Sequence, residues 1–166
     1  MNKLSKNIRI PAPLFDRLID ENPETTTEPS PLRTYNREQL KDSIQRELQA
    51  LLNTRPNTKR LEGLEDDPHN IAATTLFYGA HNFSFVDVTS ASGKEQVKTT
   101  LAQAIENFEP RLTNIQVTIT EFERNAQRLK VIIEGYVKIG ELREHWSFPV
   151  IINDVEISKP QELLAG

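Results

Sequence analysis

The chain has 166 residues, of which 37% are hydrophobic and 27% are charged, so it can form one compact domain with a buried core. Its formal net charge of −4 argues against nucleic acid as a partner, because phosphate binding needs concentrated Lys and Arg. The absence of cysteine excludes disulfides, thiol catalysis and cysteine-based metal sites, and it is consistent with a reducing cytoplasm.

The first 34 residues predict an N-terminal extension. Residues 14–20 can form a short helix, and residues 21–34, rich in proline and threonine, predict a linker. The apolar side of the short helix consists of Leu14, Phe15, Leu18 and Ile19. A helix this short is marginal alone, so it must dock either on its own domain or on a partner.

A regular amphipathic pattern predicts the first principal helix from Asn36 to about Asn53. Asn36 can cap this helix, and Gln39 is in position to complete a capping box. The apolar stripe consists of Leu40, Ile44, Leu48, Leu51 and Leu52. The polar residues 54–70 that follow predict a loop.

The middle of the chain contains an ambiguous segment and then a second helix. Residues 71–79 fit either a short helix or a strand, and the alternation from Phe83 to Val88 favours a strand. The second principal helix is predicted from about Gly93 to Phe108, with Ser92 and Glu95 as a capping box. Its apolar stripe consists of Val97, Leu101, Ile105 and Phe108, and Pro110 ends it.

Three alternating segments after the second helix predict strands. They are Ile115–Thr120, Leu129–Ile139 and Trp146–Ile152. The turns between them are short, which indicates an antiparallel meander. Pro149 cannot donate to a ladder, so we expect the third strand at a sheet edge. Val155 to Ser158 is a candidate for a short extra strand.

The order of the elements predicts an α+β fold, with two principal helices packed on a small antiparallel sheet and a tethered short N-terminal helix. We expect three parts: an extension at 1–34, a folded domain at 35–158 and a tail at 159–166. The longest apolar run, Phe148 to Ile152, is far below the roughly 20 residues of a spanning helix. The N-terminus lacks the apolar core of a signal peptide. We therefore expect a cytoplasmic protein with no direct membrane insertion.

Sequence motifs for catalysis are missing. The histidines do not lie at metal-ligand spacings, and the group Asp66, Asp67 and His69 fits a solvated loop better than a cation site. Ser92-Gly93-Lys94 lacks the rest of a phosphate-binding loop and fits a helix start. The many acidic residues include no pair that the sequence places in an apolar cleft. We expect no enzyme activity, no cofactor, no metal and no small-molecule substrate.

The segment Phe108–Leu112 joins the second helix to the first clear strand. One hypothesis is local: Arg111 satisfies the final helix carbonyls and Glu109 neutralises it. The other is that the pair faces a partner, to which arginine can make a planar bidentate contact. Residue chemistry alone favours the local explanation. Partner binding would require Arg111→Ala to leave the fold intact.

The same segment, FEPRL, resembles the Glu-Pro-Arg signature of phage baseplate wedge proteins and their type VI secretion relatives, the TssE family. Residues 14–18 (LFDRL), residues 51–55 (LLNTR) and Tyr78-Gly79 also resemble segments of the type VI members, in the same order. The resemblance spans roughly residues 13–152. The chain departs from the family after Gly79, where residues 80–83 replace the usual Leu-Pro-Asp turn.

The resemblance implies a structural component of a membrane-docked baseplate that joins the wedge complex to the contractile sheath and initiates sheath polymerisation. It implies wedge and sheath subunits as partners. Because sheath subunits of this kind add strands to neighbouring sheets, we expect the edge at Trp146–Ile152 and the Val155 tail to receive them. The alternatives are a wedge subunit of a phage or another contractile injection device, a peptidoglycan hydrolase, and an adaptor unconnected with secretion.

We expect the partner contacts at three places in the sequence. The candidates are Glu109, Pro110, Arg111, Arg55, Leu14, Phe15 and Leu18. For Arg55 an equal alternative is a cation favoured by the dipole of the first helix. For the three N-terminal residues the alternative is packing on their own domain.

Overall fold

The computed structural model describes residues 10–13, 16–17, 24, 34–56, 77–80, 83, 86–153 and 155. These residues form an α+β fold, as predicted, with two long helices and two antiparallel sheets. The elements are β1 (Ile10–Pro11), β2 (Thr34–Tyr35), α1 (Arg37–Asn53), α2 (Ala91–Phe108), β3 (Leu112–Glu123), β4 (Arg128–Ile139) and β5 (Leu142–Ile152).

Helix α1 begins and ends where its sequence predicts. The predicted capping box is present: the Gln39 amide donates to Asn36 Oδ1 at 2.8 Å, and the Asn36 amide donates to Gln39 Oε1 at 3.0 Å. All five residues of the predicted apolar stripe are buried. The capping interactions and the stripe therefore determine α1 together.

Helix α2 begins earlier than predicted, and the predicted capping box of Ser92 and Glu95 is wrong. Ser90 is the N-cap, and its hydroxyl accepts a hydrogen bond from the Gly93 amide at 3.0 Å. Two backbone segments also approach closely at this start: a Cβ on Gly93 would lie 1.9 Å from the Asp87 carbonyl oxygen. Glu95 instead pairs with Lys98 on the first turns of the helix.

The strand predicted across Phe83 to Val88 is also wrong in its described part. Residues 86–90 form a bend and a turn that lead into α2. Val88 is nevertheless fully buried, so its apolar side chain contributes to the core without a strand. Phe83 and Val88 are both buried although the alternation places them on opposite sides of a strand, so burial here does not come from a strand.

The larger sheet is the predicted meander, in the order β3-β4-β5, and β5 is at an edge. Strand β3 begins at Leu112, three residues before its predicted start. Alternate residues of β4 and β5 face the helices and form much of the core. The buried residues of these two strands include Leu129, Val131, Ile133, Val137, Ile139, Trp146, Phe148, Val150 and Ile152.

The described part of the N-terminal extension packs on the domain. β1 pairs with β2, Ala12 is buried, and Arg17 Nε donates to the Ala12 carbonyl at 2.7 Å. Asp16 and Arg17 are helical. Asp16 bonds Ser43 of α1, but the docking of the apolar side of the predicted short helix lies outside the described residues and stays a prediction.

Several predictions fall on residues outside those described. They include the side chains of Leu14, Phe15 and Leu18, the group Asp66, Asp67 and His69, and residues 71–76. The division into extension, domain and tail stays a prediction for the same reason. Of the helices in the described ranges, neither is long and apolar enough to cross a membrane.

Candidate functional site

The Glu109-Pro110-Arg111 segment forms the turn between α2 and β3. Glu109 is the C-cap of α2, and its amide donates to the Ile105 carbonyl at 2.8 Å. The Leu112 amide then donates to the Glu109 carbonyl at 3.1 Å. The turn places the Glu109 side chain inside, where it is 2% exposed, and leaves Pro110 exposed.

Arg111 turns back on Glu109 and also reaches α1. Its Nε donates to Glu109 Oε1 at 2.7 Å, and its Nη2 donates to Glu109 Oε2 at 2.5 Å. Nη2 also donates to Glu47 Oε2 at 2.5 Å, and Nη1 lies 3.4 Å from the Ser43 hydroxyl. We call these four residues, Ser43, Glu47, Glu109 and Arg111, the Arg111 cluster.

This geometry changes both hypotheses for Arg111. Its side chain bonds two carboxylates and a hydroxyl. Among the described residues, these groups take the place of the helix carbonyls that the local hypothesis named as its partners. A guanidinium has five N–H donors, and these contacts engage four of them. A free bidentate contact to a partner is therefore not available in this conformation. The cluster instead joins α1 to the turn after α2.

The cluster continues into the N-terminal segment through Ser43, which is fully buried. The Ser43 hydroxyl donates to Asp16 Oδ2 at 3.0 Å, and Asp16 also lies 3.5 Å from Arg46 Nη2. Burial, followed by a hydrogen bond to Asp16, raises the pKa of Tyr35. One polar network therefore connects the N-terminal segment, α1 and the turn.

Sequence reasoning missed two members of the cluster, Ser43 and Glu47. Burial raises the pKa of the Glu47 carboxyl above the ordinary 4.5; the charge of Arg111 opposes this shift and Glu109 adds to it. The available signal was spacing, because Ser43 and Glu47 lie one turn apart beside the stripe of Leu40, Ile44 and Leu48; Ser43 is buried and Glu47 is exposed at the border of the stripe. A serine and a glutamate beside an apolar stripe predict a polar contact at the border of the core.

The other segments that resemble the type VI proteins meet at the same place. Tyr78 packs edge-on against Phe108, with ring centroids 5.4 Å apart. Gly79 has φ +128°, and a Cβ there would lie 2.3 Å from the Thr54 carbonyl oxygen, which accepts a hydrogen bond from the Ala80 amide. Tyr78 and Gly79 therefore contact the end of α2 and the end of α1, respectively.

The predicted contact residues differ in where they lie. Glu109 and Arg111 are brought together, and Pro110 is exposed beside them. Arg55 is exposed just after Thr54, the C-cap of α1. An open hollow of about 260 Å³ lies over the Arg111 cluster, between the N-terminal segment and Pro110.

Electrostatics in the site combine three carboxylates and two guanidiniums. Asp16, Glu47 and Glu109 face Arg46 and Arg111, so the group carries a formal charge of about −1 when all are ionised. Every buried side-chain nitrogen or oxygen in the described part of the chain has a hydrogen-bond partner. Within that same part, no group of three or more His, Cys, Asp or Glu residues could hold a metal ion.

Comparisons with known proteins give one family and two weak structural similarities. The model of the family described as "Baseplate wedge protein gp25" matches residues 38–141, from α1 to the turn before β5. A chain in a structure of the baseplate complex from the type VI secretion system is 17% identical, with a TM-score of 0.44; the match covers 70% of this chain and 97% of that chain.

A second structure is that of a protein from Geobacter sulfurreducens with the provisional name of tail lysozyme. It is 16% identical, with a TM-score of 0.40, and the match covers 69% of this chain and 93% of that chain. Among curated proteins, no sequence matches this chain significantly.

Proposed function

Because the chain belongs to the baseplate wedge protein gp25 family, we propose that it is a non-catalytic subunit of a type VI secretion baseplate. In this role it joins the wedge complex to the contractile sheath and initiates sheath polymerisation. The LFDRL, LLNTR and Tyr-Gly segments, which resemble the type VI members, support this system over a phage or another contractile device. The proposed location is the cytoplasmic side of a membrane-docked baseplate.

The observation that carries the proposal is the convergence of these segments on the Arg111 cluster. Tyr78 packs on Phe108, Asp16 is joined to Arg111 through Ser43, and Gly79 contacts the end of α1. Segments far apart in the chain thus hold one exposed turn in a fixed shape. A pre-formed surface binds with a smaller entropic cost than a flexible one.

In this proposal Glu109 and Arg111 determine the shape of the turn, and Pro110 presents it to the wedge subunits. Arg55, Leu14, Phe15 and Leu18 remain proposed contacts of the same kind. The exposed hollow beside Pro110 gives a partner side chain a place to insert.

Contact with the sheath is proposed to use the edge of the larger sheet. An edge strand presents unpaired N–H and C=O groups, to which a neighbouring chain can add a strand. Each such hydrogen bond contributes only about 0.5–1.5 kcal/mol net. Repetition around a ring makes the total attachment strong through multivalency.

A hydrolase is the second candidate, because the fold brings Glu47 and Glu109 to one guanidinium and raises the pKa of Glu47. Glycoside hydrolysis needs two carboxyl groups that face a sugar. Here both oxygens of Glu109 are bonded to Arg111, and Glu109 is buried. This geometry supports a structural role. Lysis of purified cell wall by the protein, lost in Glu47→Gln, would establish the hydrolase instead.

The proposed function is tested in cells that lack the protein and carry a fluorescent sheath subunit. We expect wild type to restore sheath assembly and to co-purify with wedge and sheath subunits. Pro110→Asp should abolish assembly while the circular dichroism spectrum stays native, and Glu106→Ala on the exposed side of α2 should restore assembly fully. Sheath assembly without the protein, or no co-purification of either partner, would refute the proposal.

A further inference from the structure

Helix α2 has a neutral flank and a charged flank. At 3.6 residues per turn, Gln96, Thr100, Gln103 and Asn107 fall within about 60° of one another around the helix axis. The charged residues of the helix are Lys94, Glu95, Lys98 and Glu106. All four lie outside that sector. One flank of α2 is therefore uncharged along about three turns.

The neutral flank forms one wall of an open groove of about 490 Å³, which we call the α2 groove. The facing wall is apolar and comes from the segment before α2, with Phe77, Phe83 and Val86. None of the described residues that line this groove is charged, and none belongs to the Arg111 cluster. Among those residues, Phe108 alone also lines the hollow beside Pro110.

The hydrogen-bonding groups that the α2 groove leaves unused are amides. The hydroxyls of Thr99 and Thr100 each donate to a helix carbonyl one turn earlier, at 2.9 Å. Within the part of the chain that the structure describes, no hydrogen bond reaches the side chains of Gln96, Gln103 or Asn107. An amide side chain both donates and accepts, so these three can bond a neutral polar group of either kind.

The helical wall indicates what kind of segment the groove accepts. The middle of a helix has no free backbone N–H or C=O, so an occupant must contact α2 through side chains and cannot join it as a strand. The neutral residues lie at positions i, i+4, i+7 and i+11, which is the spacing by which one helix packs along another. An amphipathic helix that binds in a groove uses the same spacing for its anchoring side chains.

The absence of charge in the described lining indicates the chemistry of the contact face. A charged side chain of an occupant would lose water there and find no opposite charge to pair with. Uncharged side chains can instead pack on Phe77 and Phe83 and bond the amides of α2. On the other flank, Glu95 and Lys98 already pair with each other.

We infer that the α2 groove binds one helix of a wedge subunit, through apolar and uncharged polar side chains spaced three and four residues apart. The identity of that subunit rests on the proposed function. The apolar wall depends on Phe83, which lies in the stretch 80–83 where this chain departs from the family. We therefore expect the groove to select a subunit of the same secretion system.

The position of the partner helix is tested by photo-crosslinking in the assembled wedge complex. Benzoylphenylalanine replaces Gln103 in the groove in one variant and Lys98 on the charged flank in the matched control. Mass spectrometry then locates each crosslink in the partner sequence. We expect position 103 to crosslink to a helix of a wedge subunit whose contacting side chains are uncharged, and position 98 to give no crosslink.

The chemistry of the contact is tested by adding charge to the groove. In calorimetric titrations with purified wedge subunits, Gln103→Lys and Gln103→Glu should each raise Kd at least about tenfold, because each buries an unpaired charge. Gln103→Asn stays neutral and should bind within about threefold of wild type. Glu106→Lys puts a lysine on the charged flank and should bind as wild type does. Gln103 is exposed in the free protein, so circular dichroism should show native folding in all four variants.

The outcomes separate this inference from the proposed function. Stronger binding with one sign of charge at position 103 would identify a charged occupant and overturn the inference. Crosslinks to a strand or loop, to another segment of this chain or to a second copy would overturn it too, as would wild-type binding with no crosslink at position 103. All of these results leave the proposed function intact. Failure of wild type to bind either wedge or sheath subunits would refute the proposed function itself.

Discussion

Arg111 and Glu109, only two residues apart, form a two-point ion pair in which Glu109 is 2% exposed. Burial lowers the pKa of Arg111, but the hydrogen bond to Glu109 and the charges of the nearby carboxylates together outweigh it, so this pKa is raised. A carboxylate this deep in the fold is stable only with its partner, because an unpaired buried charge is costly. The pair is therefore part of the fold as well as of the candidate interface.

Arg111→Ala should destabilise the protein by about 2–3 kcal/mol, somewhat less than the loss of a fully buried ion pair, because a quarter of Arg111 is exposed. Urea unfolding measures this change. The double variant Glu109→Leu with Arg111→Met should recover more than half of the loss, since it leaves no buried charge. An Arg111→Ala protein as stable as wild type would show that the pair contributes nothing to folding.

Ser90→Ala should reduce stability by about 1 kcal/mol, because it removes the acceptor for the Gly93 amide at the start of α2. Ser92→Ala is the matched control and should change stability by less than about 0.5 kcal/mol. Thermal unfolding of both variants decides which serine caps the helix. A larger loss of stability in Ser92→Ala than in Ser90→Ala would support the capping box that the sequence predicted.

Gly79→Ala should cost at least about 2 kcal/mol, because φ is +128° and the new Cβ would meet the Thr54 carbonyl. Gly140→Ala provides the comparison: its φ is +60°, and a Cβ there meets nothing within 4 Å. The control should cost about 1 kcal/mol, from backbone strain alone. Equal losses in urea unfolding would mean that the close contact with α1 is unimportant.

The raised pKa of Glu47 predicts how stability depends on pH. Its folded pKa is raised above 4.5, so the folded state binds its proton more tightly than the unfolded state does. The contribution of Glu47 to stability is therefore full below pH 4.5 and falls as the pH rises through the folded pKa. Glu47→Gln should remove this fall. Urea unfolding from pH 4 to 8 should show wild type losing stability relative to the variant as the pH increases. A difference that moves the other way would mean that Arg111 outweighs burial at this carboxyl.

Local patterns in the sequence predicted most of the fold because each depends on neighbouring residues. The spacing of apolar residues shows which side of an element is apolar, and burial follows from that. This holds for the stripe from Leu40 to Leu52 and for the alternation from Trp146 to Ile152. Asn36 with Gln39 determines a helix start within four residues. Pro149 placed β5 at an edge because a missing N–H is tolerated there.

The sequence by itself also determined the family: the matched residues 38–141 include the short segments at Thr54, Gly79 and Glu109, whose order can be read without a structure. Only the tertiary structure decided how these segments act. The contacts between Glu47 and Arg111, and between Asn53 and Asn153, join residues 64 and 100 positions apart, so no local pattern reports them. The predicted site at the FEPRL turn is thereby a packed junction in which Arg111 pairs with two carboxylates, and side-chain amides of α1 bond the backbone at the end of β5. Both properties arise because folding brings α1 alongside elements formed much later in the chain.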